Sequence, residues 1–220
     1  KYNYNVNFVG HPLIDAIADR KQVEEVAFRK ENNLGDKKII ALLPGSRKQE
    51  IIKMLSVMLS VVDDFKEYQF VIAGAPSQDF TFYQQFIKTD NVQFINNKTY
   101  DLLSISFAAL VTSGTATLET ALFKVPQVVC YKGSAITYAI AKRIITLKFI
   151  SLVNLIMDKE VVTELIQSDF NTKTLTKELT KILEDSHREK VFLAYYELEK
   201  ILGGKGASEE SARLIIEGIT

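Results

Sequence analysis

Val111-Thr112-Ser113-Gly114-Thr115-Ala116-Thr117-Leu118-Glu119-Thr120 is the stretch of this sequence that decides the fold. The apolar run Phe107–Val111 predicts a short buried strand, and apolar residues at helical spacing follow the small residues of the quoted stretch. A strand, a small-residue turn and a helix together point free backbone N–H groups at an anion, and the helix dipole adds to the attraction. We interpret Ser113 as the helix N-cap and Gly114 as the residue that lets a phosphate approach the backbone.

Glu119 lies one turn inside this predicted helix, where its carboxylate is suited to accept hydrogen bonds from the hydroxyls of a sugar. A second interpretation stays open at this point. Because turns rich in Ser, Gly and Thr are common in α/β proteins, Ser113 can simply cap a helix while Glu119 stays solvated on the surface. The stretch alone therefore leaves phosphate or nucleotide binding and ordinary capping as equal hypotheses.

Four more apolar segments predict strands, and helical patterns separate them along the chain. The segments are Lys38–Leu43, Gln69–Ala73, Val92–Ile95 and Pro126–Tyr131. This alternation predicts an α/β fold, a Rossmann-like parallel sheet with helices on both faces. In such sheets ligands bind beyond the carboxyl ends of the strands, so the turns that follow the strands are the places to look for a site.

The helical patterns have bounds that can be checked against a structure. We expect one charged helix from Pro12 to about Asn32 and another from about Ala135 to Thr146. A short extended piece, Phe149–Ser151, should precede several helices that reach the end of the chain. Gly203–Gly206 predicts a hinge before the last of them.

Pro44-Gly45-Ser46-Arg47 follows the first of these strands and is the second candidate anion site. Because Arg47 stands at a strand end, its guanidinium can fork onto a diphosphate or onto phosphate charge that develops during a reaction. The alternative is a turn arginine that pairs with Glu50. The G-x-x-x-x-G-K-[ST] pattern of a P-loop is absent from the sequence.

Asn154 and Gln167 are weaker candidates for polar contacts to a ligand. The side-chain amide of Asn154 can bond a phosphate or a sugar hydroxyl, and ordinary capping is its alternative role. Gln167, like Glu160, lies near one face of the predicted helices that follow and is equally well explained as a surface residue. Tyr138–Ile156 is apolar but carries cations, which fits a helix that covers the sheet or, alternatively, one that rests on an anionic membrane.

The composition argues against several classes of function. The chain has 220 residues with 27 Lys and Arg against 27 Asp and Glu, and zero net charge argues against a nucleic-acid binder that works through a basic surface. The lone cysteine, Cys130, lies in an apolar run and is interpreted as a buried strand residue rather than a nucleophile. The two histidines, His11 and His187, are far apart, so the sequence offers no metal-ligand spacing.

Several motifs taken together resemble the lipid-A-disaccharide synthase family. They occur in the order and at roughly the spacing typical of that family, and they cover nearly the whole chain. The motifs are Phe8-Val9-Gly10-His11-Pro12, Leu42-Leu43-Pro44-Gly45-Ser46-Arg47-x-x-Glu50, Ser113-Gly114-Thr115-Ala116-x-Leu118-Glu119, Ala141-Lys142-Arg143, Ser151-Leu152-x-Asn154-Leu155 and Glu160-x-Val162-x-Glu164-Leu165-Ile166-Gln167. Val153 departs from the pattern, because the family commonly has proline there.

The resemblance implies the glycosyltransferase B architecture, in which two Rossmann-like domains face each other across a cleft. This chain resembles the carboxyl-terminal half alone, with residues 1–202 as the UDP-sugar-binding domain. Residues 203–220 would form a helix that packs on the missing amino-terminal half or on a partner chain, as in a homodimer. The missing half would carry most of the acceptor site and the general base.

The resemblance also implies a reaction. UDP-2,3-diacylglucosamine would donate its sugar to 2,3-diacylglucosamine 1-phosphate, which forms a β-1,6-linked disaccharide and UDP without a metal or another cofactor. Because both substrates are acylated, the enzyme would work as a peripheral protein on the cytoplasmic face of the inner membrane.

The family also implies roles for residues of this sequence. By similarity, Arg47 and Asn154 would be catalytic, because they would steady phosphate charge as UDP departs. The ribose hydroxyls would meet Glu119, and the uracil would meet backbone groups of the strand that holds Phe94 and Ile95. The other implied contacts to the UDP-sugar are Gly45, Ser46, Ser113, Gly114, Thr115, Ala116 and Gln167.

Two other hypotheses stay open. Another UDP-sugar enzyme of the same architecture, such as a UDP-N-acetylglucosamine 2-epimerase or the glycosyltransferase that makes lipid II, shares the small-residue turn and the ribose glutamate. Those enzymes match the pair of segments Pro44–Arg47 and Ser151–Leu155 less well. A non-catalytic nucleotide-binding module is the third hypothesis.

Overall fold

The computed structural model describes residues 6–133 and 148–219, and within them six strands form one sheet. The strands are β1 (Lys38–Leu43), β2 (Tyr68–Gly74), β3 (Val92–Asn96), β4 (Ser106–Thr112), β5 (Gln127–Tyr131) and β6 (Thr163–Ile166). Their order is β3-β2-β1-β4-β5-β6, and every neighbouring pair is parallel. This is the doubly wound Rossmann order, whose topological switch point lies between β1 and β4. The predicted fold class is confirmed.

Helices cover both faces of the sheet. In the described ranges they are α1 (Pro12–Ala18), α2 (Glu25–Glu31), α3 (Lys48–Met58), α4 (Phe80–Gln84), α5 (Thr99–Ser104), α6 (Thr115–Leu122), α7 (Leu152–Met157), α8 (Thr172–Leu183), α9 (Asp185–Leu202) and α10 (Ala207–Ile219). A 3₁₀ helix, Leu59–Asp64, continues α3. One face of the sheet packs on α3 and α8, and the other packs on α2, α5, α6 and α9.

The central strands are almost continuously apolar between their ends because both of their faces are buried. In β1, Ile40 and Leu42 join one core and Ile39 and Ala41 join the other, and all four side chains are 0% exposed. An interior that buries both faces needs such continuous apolar runs rather than an alternating pattern. This is why the five strands predicted from apolar runs are all found.

The region after residue 148 differs from the prediction of helices alone. Residues Thr163–Ile166 form the edge strand β6, which pairs in parallel with β5. Pairing with β5 makes this segment a strand although it contains Glu164, a residue type of low strand propensity. The piece Phe149–Ser151 belongs to no strand, although Ser151 itself has the expected extended backbone.

The first predicted helix is also wrong in its bounds. It is two helices, α1 and α2, with residues 19–24 between them. The carboxylate of Glu24 starts the second helix, since it accepts hydrogen bonds from the backbone N–H groups of Val26 and Ala27 at 3.1 and 2.6 Å. The helix expected over Ala135–Thr146 and most of the segment Tyr138–Ile156 lie outside the described residues.

The last helix begins after the predicted glycine hinge, and its start is attached to α1. The two carboxylate oxygens of Asp15 accept hydrogen bonds from the backbone N–H groups of Gly206 and Ser208 at 2.6 and 2.8 Å. These backbone hydrogen bonds lower the pKa of Asp15 from its usual value of 3.8. Among the described helices, none combines the length and the apolar character that crossing a bilayer requires.

Candidate functional site

A hollow of about 530 Å³ opens at the carboxyl ends of β1 and β4, which is the topological switch point of the sheet. The loops that follow these two strands both line it. The lining residues are Leu43, Gly45, Ser46, Arg47, Glu50, Ala73, Gly74, Ala75, Pro76, Thr99, Thr112, Ser113, Gly114, Thr115, Ala116 and Glu119.

At the turn between β4 and α6, the uncapped N-terminus of α6 lines this hollow. Gly114 occupies the N-cap position with φ of +154°, and no side chain caps the helix. A Cβ atom on Gly114 would meet nothing within 4 Å, so the space beside the turn is open. The first N–H groups of α6 are therefore free to bind an anion.

Ser113 is not the N-cap, which corrects the sequence interpretation. Its Oγ donates a hydrogen bond to the backbone carbonyl of Ile150 at 2.8 Å. The hydroxyl thus connects the turn to the loop before α7. As a result, the Ser113 side chain does not cap the start of α6. The sequence could not reveal this partner, because it lies 37 residues further along the chain.

The turn after β1 is held in shape by Glu50. One oxygen of this carboxylate accepts a hydrogen bond from the backbone N–H of Ser46 at 3.2 Å. Gly45 has φ of +103°, which favours glycine, and a Cβ there would lie 2.2 Å from the Glu50 carboxylate and would displace it from the turn. The carbonyl of Ser46 also accepts a hydrogen bond from the Ser77 hydroxyl at 2.7 Å.

Arg47 is exposed at the wall of the hollow and forms no ion pair with any described residue. The alternative in which Arg47 pairs with Glu50 is therefore not found in the described part of the chain. Glu50 instead folds back on the turn that precedes the arginine. This leaves the guanidinium available for a phosphate, to which it can donate two parallel hydrogen bonds.

Glu119 is half-buried rather than solvated, and it has a specific partner. The hydroxyl of Tyr100 donates a hydrogen bond to Glu119 Oε1 at 2.9 Å. Burial and the nearby carboxylate together raise the pKa of Tyr100 to about 12, so the hydroxyl keeps its proton at neutral pH. The interpretation of Glu119 as a free surface carboxylate is therefore wrong.

Thr112 is a lining residue that the sequence did not single out. It is 4% exposed, and its Oγ1 has no hydrogen-bond partner among the described residues. A buried hydroxyl without a partner is unusual, and its position on the wall of the hollow makes it a candidate ligand contact. Nothing in the sequence marks this threonine, since it reads as the last residue of a strand.

Asn154 does not line the hollow, contrary to the predicted phosphate contact. The residue is 0% exposed, and its Oδ1 accepts hydrogen bonds from the N–H groups of Val161 and Val162 at 2.7 and 3.0 Å. Its Nδ2 donates to the carbonyl of Val162 at 2.8 Å and to Glu164 at 2.9 Å. Because these four bonds use the amide fully, Asn154 fixes a loop in this structure.

Glu164 is the centre of the network to which Asn154 belongs. Its carboxylate accepts hydrogen bonds from the N–H of Ile150, the N–H of Ser151 and the hydroxyl of Ser151, at 2.8, 2.9 and 2.7 Å. Ile150 is the residue whose carbonyl receives the Ser113 hydroxyl. The two motifs that contain Asn154 and Glu164 therefore hold the loop that contacts the β4–α6 turn.

Phe94, Ile95 and Gln167 do not line the hollow either. The ring of Phe94 lies 4.7 Å from that of Tyr83, and Ile95 is 4% exposed. Gln167 has φ of +55° directly after β6, and its Nε2 is buried without a partner among the described residues.

A smaller hollow of about 350 Å³ lies beside the first, at the end of β3, and is lined by Gly74, Pro76, Asn97, Lys98, Thr99, Tyr100 and Asp101.

Cys130 occupies β5 and is 0% exposed, which confirms its interpretation as a buried strand residue. Burial raises the pKa of its thiol, so the thiolate that nucleophilic chemistry needs is disfavoured. Across residues 6–133 and 148–219, no group of three His, Cys, Asp or Glu side chains is arranged to hold a metal ion.

The sequence matches a family model described as lipid-A-disaccharide synthetase over residues 1–216. A curated lipid-A-disaccharide synthase from Syntrophus aciditrophicus (strain SB) is 38% identical over 216 residues, which are 94% of this chain and 56% of that relative. Another from Persephonella marina (strain DSM 14350 / EX-H1) is 32% identical, over 98% of this chain and 59% of that relative. The chain thus spans a little over half the length of these relatives.

Solved structures share the fold at low sequence identity. A UDP-GlcNAc 2-epimerase from Neisseria meningitidis bound to UDP-GlcNAc has a TM-score of 0.63 at 17% identity, over 95% of this chain and 54% of that one. The glycosyltransferase SnogD from Streptomyces nogalater has a TM-score of 0.51 at 17% identity, over 83% of this chain and 44% of that one. Both likenesses support one half of a glycosyltransferase B fold. Because the family model matches almost from end to end and curated relatives exceed 30% identity, this chain belongs to the lipid-A-disaccharide synthase family.

Proposed function

We propose that this chain is the donor-binding half of a lipid-A-disaccharide synthase, a hexosyltransferase. The whole enzyme would transfer the sugar of UDP-2,3-diacylglucosamine to 2,3-diacylglucosamine 1-phosphate and release UDP. One observation carries the proposal. The free guanidinium of Arg47 and the uncapped start of α6 line the same hollow, at the point of the sheet where nucleotides bind in related folds.

The diphosphate of the donor would lie between these two positive elements. The N–H groups of Thr115 and Ala116 would bind its oxygens, and Arg47 would neutralise the charge that grows on the β-phosphate as the glycosidic bond breaks. Gly45, Ser46 and Gly114 would keep the backbone close to the ligand. With this charge met by protein groups, the transfer would need no metal or other cofactor.

The nucleoside would extend from the diphosphate along the inner wall. Glu119 would accept hydrogen bonds from the ribose hydroxyls, and uracil would lie toward the end of β3, near the backbone of Phe94 and Ile95. The small hollow beside the first offers space in that direction. Asn154 would act indirectly, through the loop that it shares with Glu164 and Ser113, and Gln167 would act from the end of β6.

The acceptor site and the general base would belong to an amino-terminal half, and the relatives, of which this chain spans a little over half the length, have room for one. The acyl chains of both substrates would keep the enzyme at the cytoplasmic face of the inner membrane. Residues 203–220 would contact the other half or a second copy of the chain. A UDP-N-acetylglucosamine 2-epimerase shares the fold, but the family match over residues 1–216 favours the synthase.

Calorimetric titration of UDP into this chain tests the proposal. We expect weak binding that Glu119→Ala and Arg47→Ala each weaken by at least about tenfold, because each substitution removes a charged group that hydrogen-bonds to the nucleotide. The neighbouring cation gives a matched control, since Lys48 does not line the hollow, and Lys48→Ala should leave the affinity unchanged. Equal binding by the wild type and Glu119→Ala would rule out the ribose contact, and no effect of Arg47→Ala would rule out the phosphate contact.

A further inference from the structure

Tyr100 makes the only hydrogen bond to the side chain of Glu119 found among the described residues. The tyrosine stands at the start of α5, and the glutamate lies 19 residues later in α6. The hydroxyl donates to Oε1, so Oε2 keeps both of its lone pairs for another donor. The contact therefore joins two helices and leaves one carboxylate oxygen open beside the hollow.

The tyrosine is itself held in place. Its ring packs against that of Phe123 with the ring centres 5.3 Å apart. The guanidinium of Arg20 lies 5.1 Å from the centre of the Phe123 ring and pairs with Asp101 at 2.8 Å. These contacts connect α5 with the segment after α1 and with the C-cap residue of α6, and the packing on Phe123 restrains the ring of Tyr100 beside Glu119.

We propose that Tyr100 is a positioning residue for recognition of the donor's ribose. Its hydroxyl fixes one oxygen of Glu119 and thereby directs the other oxygen to the ribose 2′- and 3′-hydroxyls. This inference rests on the proposed function, because it takes Glu119 as the ribose contact.

Fixing the carboxylate before binding strengthens recognition in two ways. A free glutamate side chain loses rotamer freedom when it binds, and here that loss occurs on folding instead. A neutral hydroxyl donor also leaves the full negative charge on the carboxylate, which an ion pair with a cation would offset. Two vicinal hydroxyls can then donate to the carboxylate without competition from a cationic side chain.

The test is a titration of Tyr100→Phe with two nucleotides, UDP and 2′,3′-dideoxyuridine 5′-diphosphate. The substitution removes one oxygen atom and keeps the ring that packs on Phe123. We expect the affinity for UDP to fall about threefold to tenfold, as for loss of one hydrogen bond. The affinity for the dideoxy nucleotide should not change, because that ligand has no hydroxyl for Glu119 to meet.

The double variant decides whether Tyr100 acts through Glu119. In the Glu119→Ala background, Tyr100→Phe should cause no further loss of UDP affinity. A further loss of similar size there would mean that Tyr100 contacts the nucleotide directly, which overturns the inference. An equal loss for both nucleotides in the single variant would also overturn it, because a general disturbance of the site would explain that result.

Failure of the inference is distinguishable from failure of the proposed function. If Glu119→Ala weakens UDP binding and Tyr100→Phe does not, the ribose contact stands and the positioning role is wrong. If Glu119→Ala has no effect, the ribose contact fails and the inference fails with it. Tyr195→Phe is the matched control, since it removes another buried hydroxyl, the one that accepts from Gln127 at 3.1 Å, and should not alter UDP affinity.

Discussion

Gly114 shows how one residue makes the start of a helix available to a ligand. Its φ of +154° is a conformation that side chains with a Cβ rarely adopt, although the space around its Cα is open. The requirement for glycine is therefore a matter of backbone conformation and not of crowding. At Gly45 the same conformational requirement applies, since its φ is +103°, and a Cβ there would in addition displace the Glu50 carboxylate.

Gly114→Ala should therefore strain the turn itself. We expect a loss of about 1–2 kcal/mol in the free energy of unfolding, together with weaker UDP binding, because the N–H groups of α6 would shift. Chemical denaturation and calorimetry measure the two effects. Gly204→Ala is the matched control, since a Cβ there also meets nothing within 4 Å and no positive φ is involved. Wild-type stability in Gly114→Ala would contradict this account of the turn.

At the scale of elements, the edge strand β6 supports the site without touching the hollow. Glu164 on this strand fixes the loop before α7, and that loop receives the hydroxyl of Ser113. The conformation of the β4–α6 turn therefore depends on a carboxylate that is 51 residues away in sequence, counted from Ser113 to Glu164. Asn154 belongs to the same support, since its side-chain amide donates a hydrogen bond to Glu164.

Glu164→Gln should loosen this support, because an amide replaces one acceptor oxygen by a donor. We expect faster hydrogen exchange at the N–H groups of Ile150 and Ser151, and a moderate loss of UDP affinity of about threefold. Hydrogen exchange followed by mass spectrometry reports the first effect, and calorimetry the second. Glu160→Gln removes an exposed carboxylate nearby and should change neither quantity. Unchanged exchange in Glu164→Gln would show that the network does not hold the loop.

At the scale of the whole molecule, burial of ionisable groups should lower the free energy of unfolding at alkaline pH. Burial raises the pKa of Tyr100 to about 12 and also raises the pKa values of Tyr83, Tyr195 and Cys130. In the unfolded chain the tyrosines ionise near their ordinary value of 10.0. The folded state then holds more protons than the unfolded state, so stability falls with rising pH.

The stability that the buried, protonated Tyr and Cys side chains contribute should be fully present below pH 9. It should be lost progressively as the pH rises through 10 toward 12. Urea midpoints measured at pH 8, 9 and 10.5 would show the loss as a steady decrease. Tyr195→Phe removes one buried hydroxyl and should flatten the decrease between pH 9 and 10.5. A midpoint that stays constant up to pH 10.5 would contradict the argument.

The sequence predicted the interior of this molecule better than its edges. Runs such as Lys38–Leu43 are recognisable because both faces of the strand are buried, whereas β6 is short, half-polar and stabilised only by pairing with β5. The loops after β1 and β4 were located by the same logic. The hydrogen bonds of Ser113 and Asn154 were not predictable, because their partners come from loops that only the folded chain brings together.

The position of the hollow between β1 and β4 would tie the proposed nucleotide binding to the folding reaction. These strands are neighbours in the sheet, yet β2 and β3 separate them along the chain. A partly folded molecule in which only β1, β2 and β3 have paired would possess Arg47 but not the helix start. UDP would therefore bind the fully assembled sheet and not the partly folded one. Saturating UDP would stabilise the folded state against separation of β1–β3 from β4–β6.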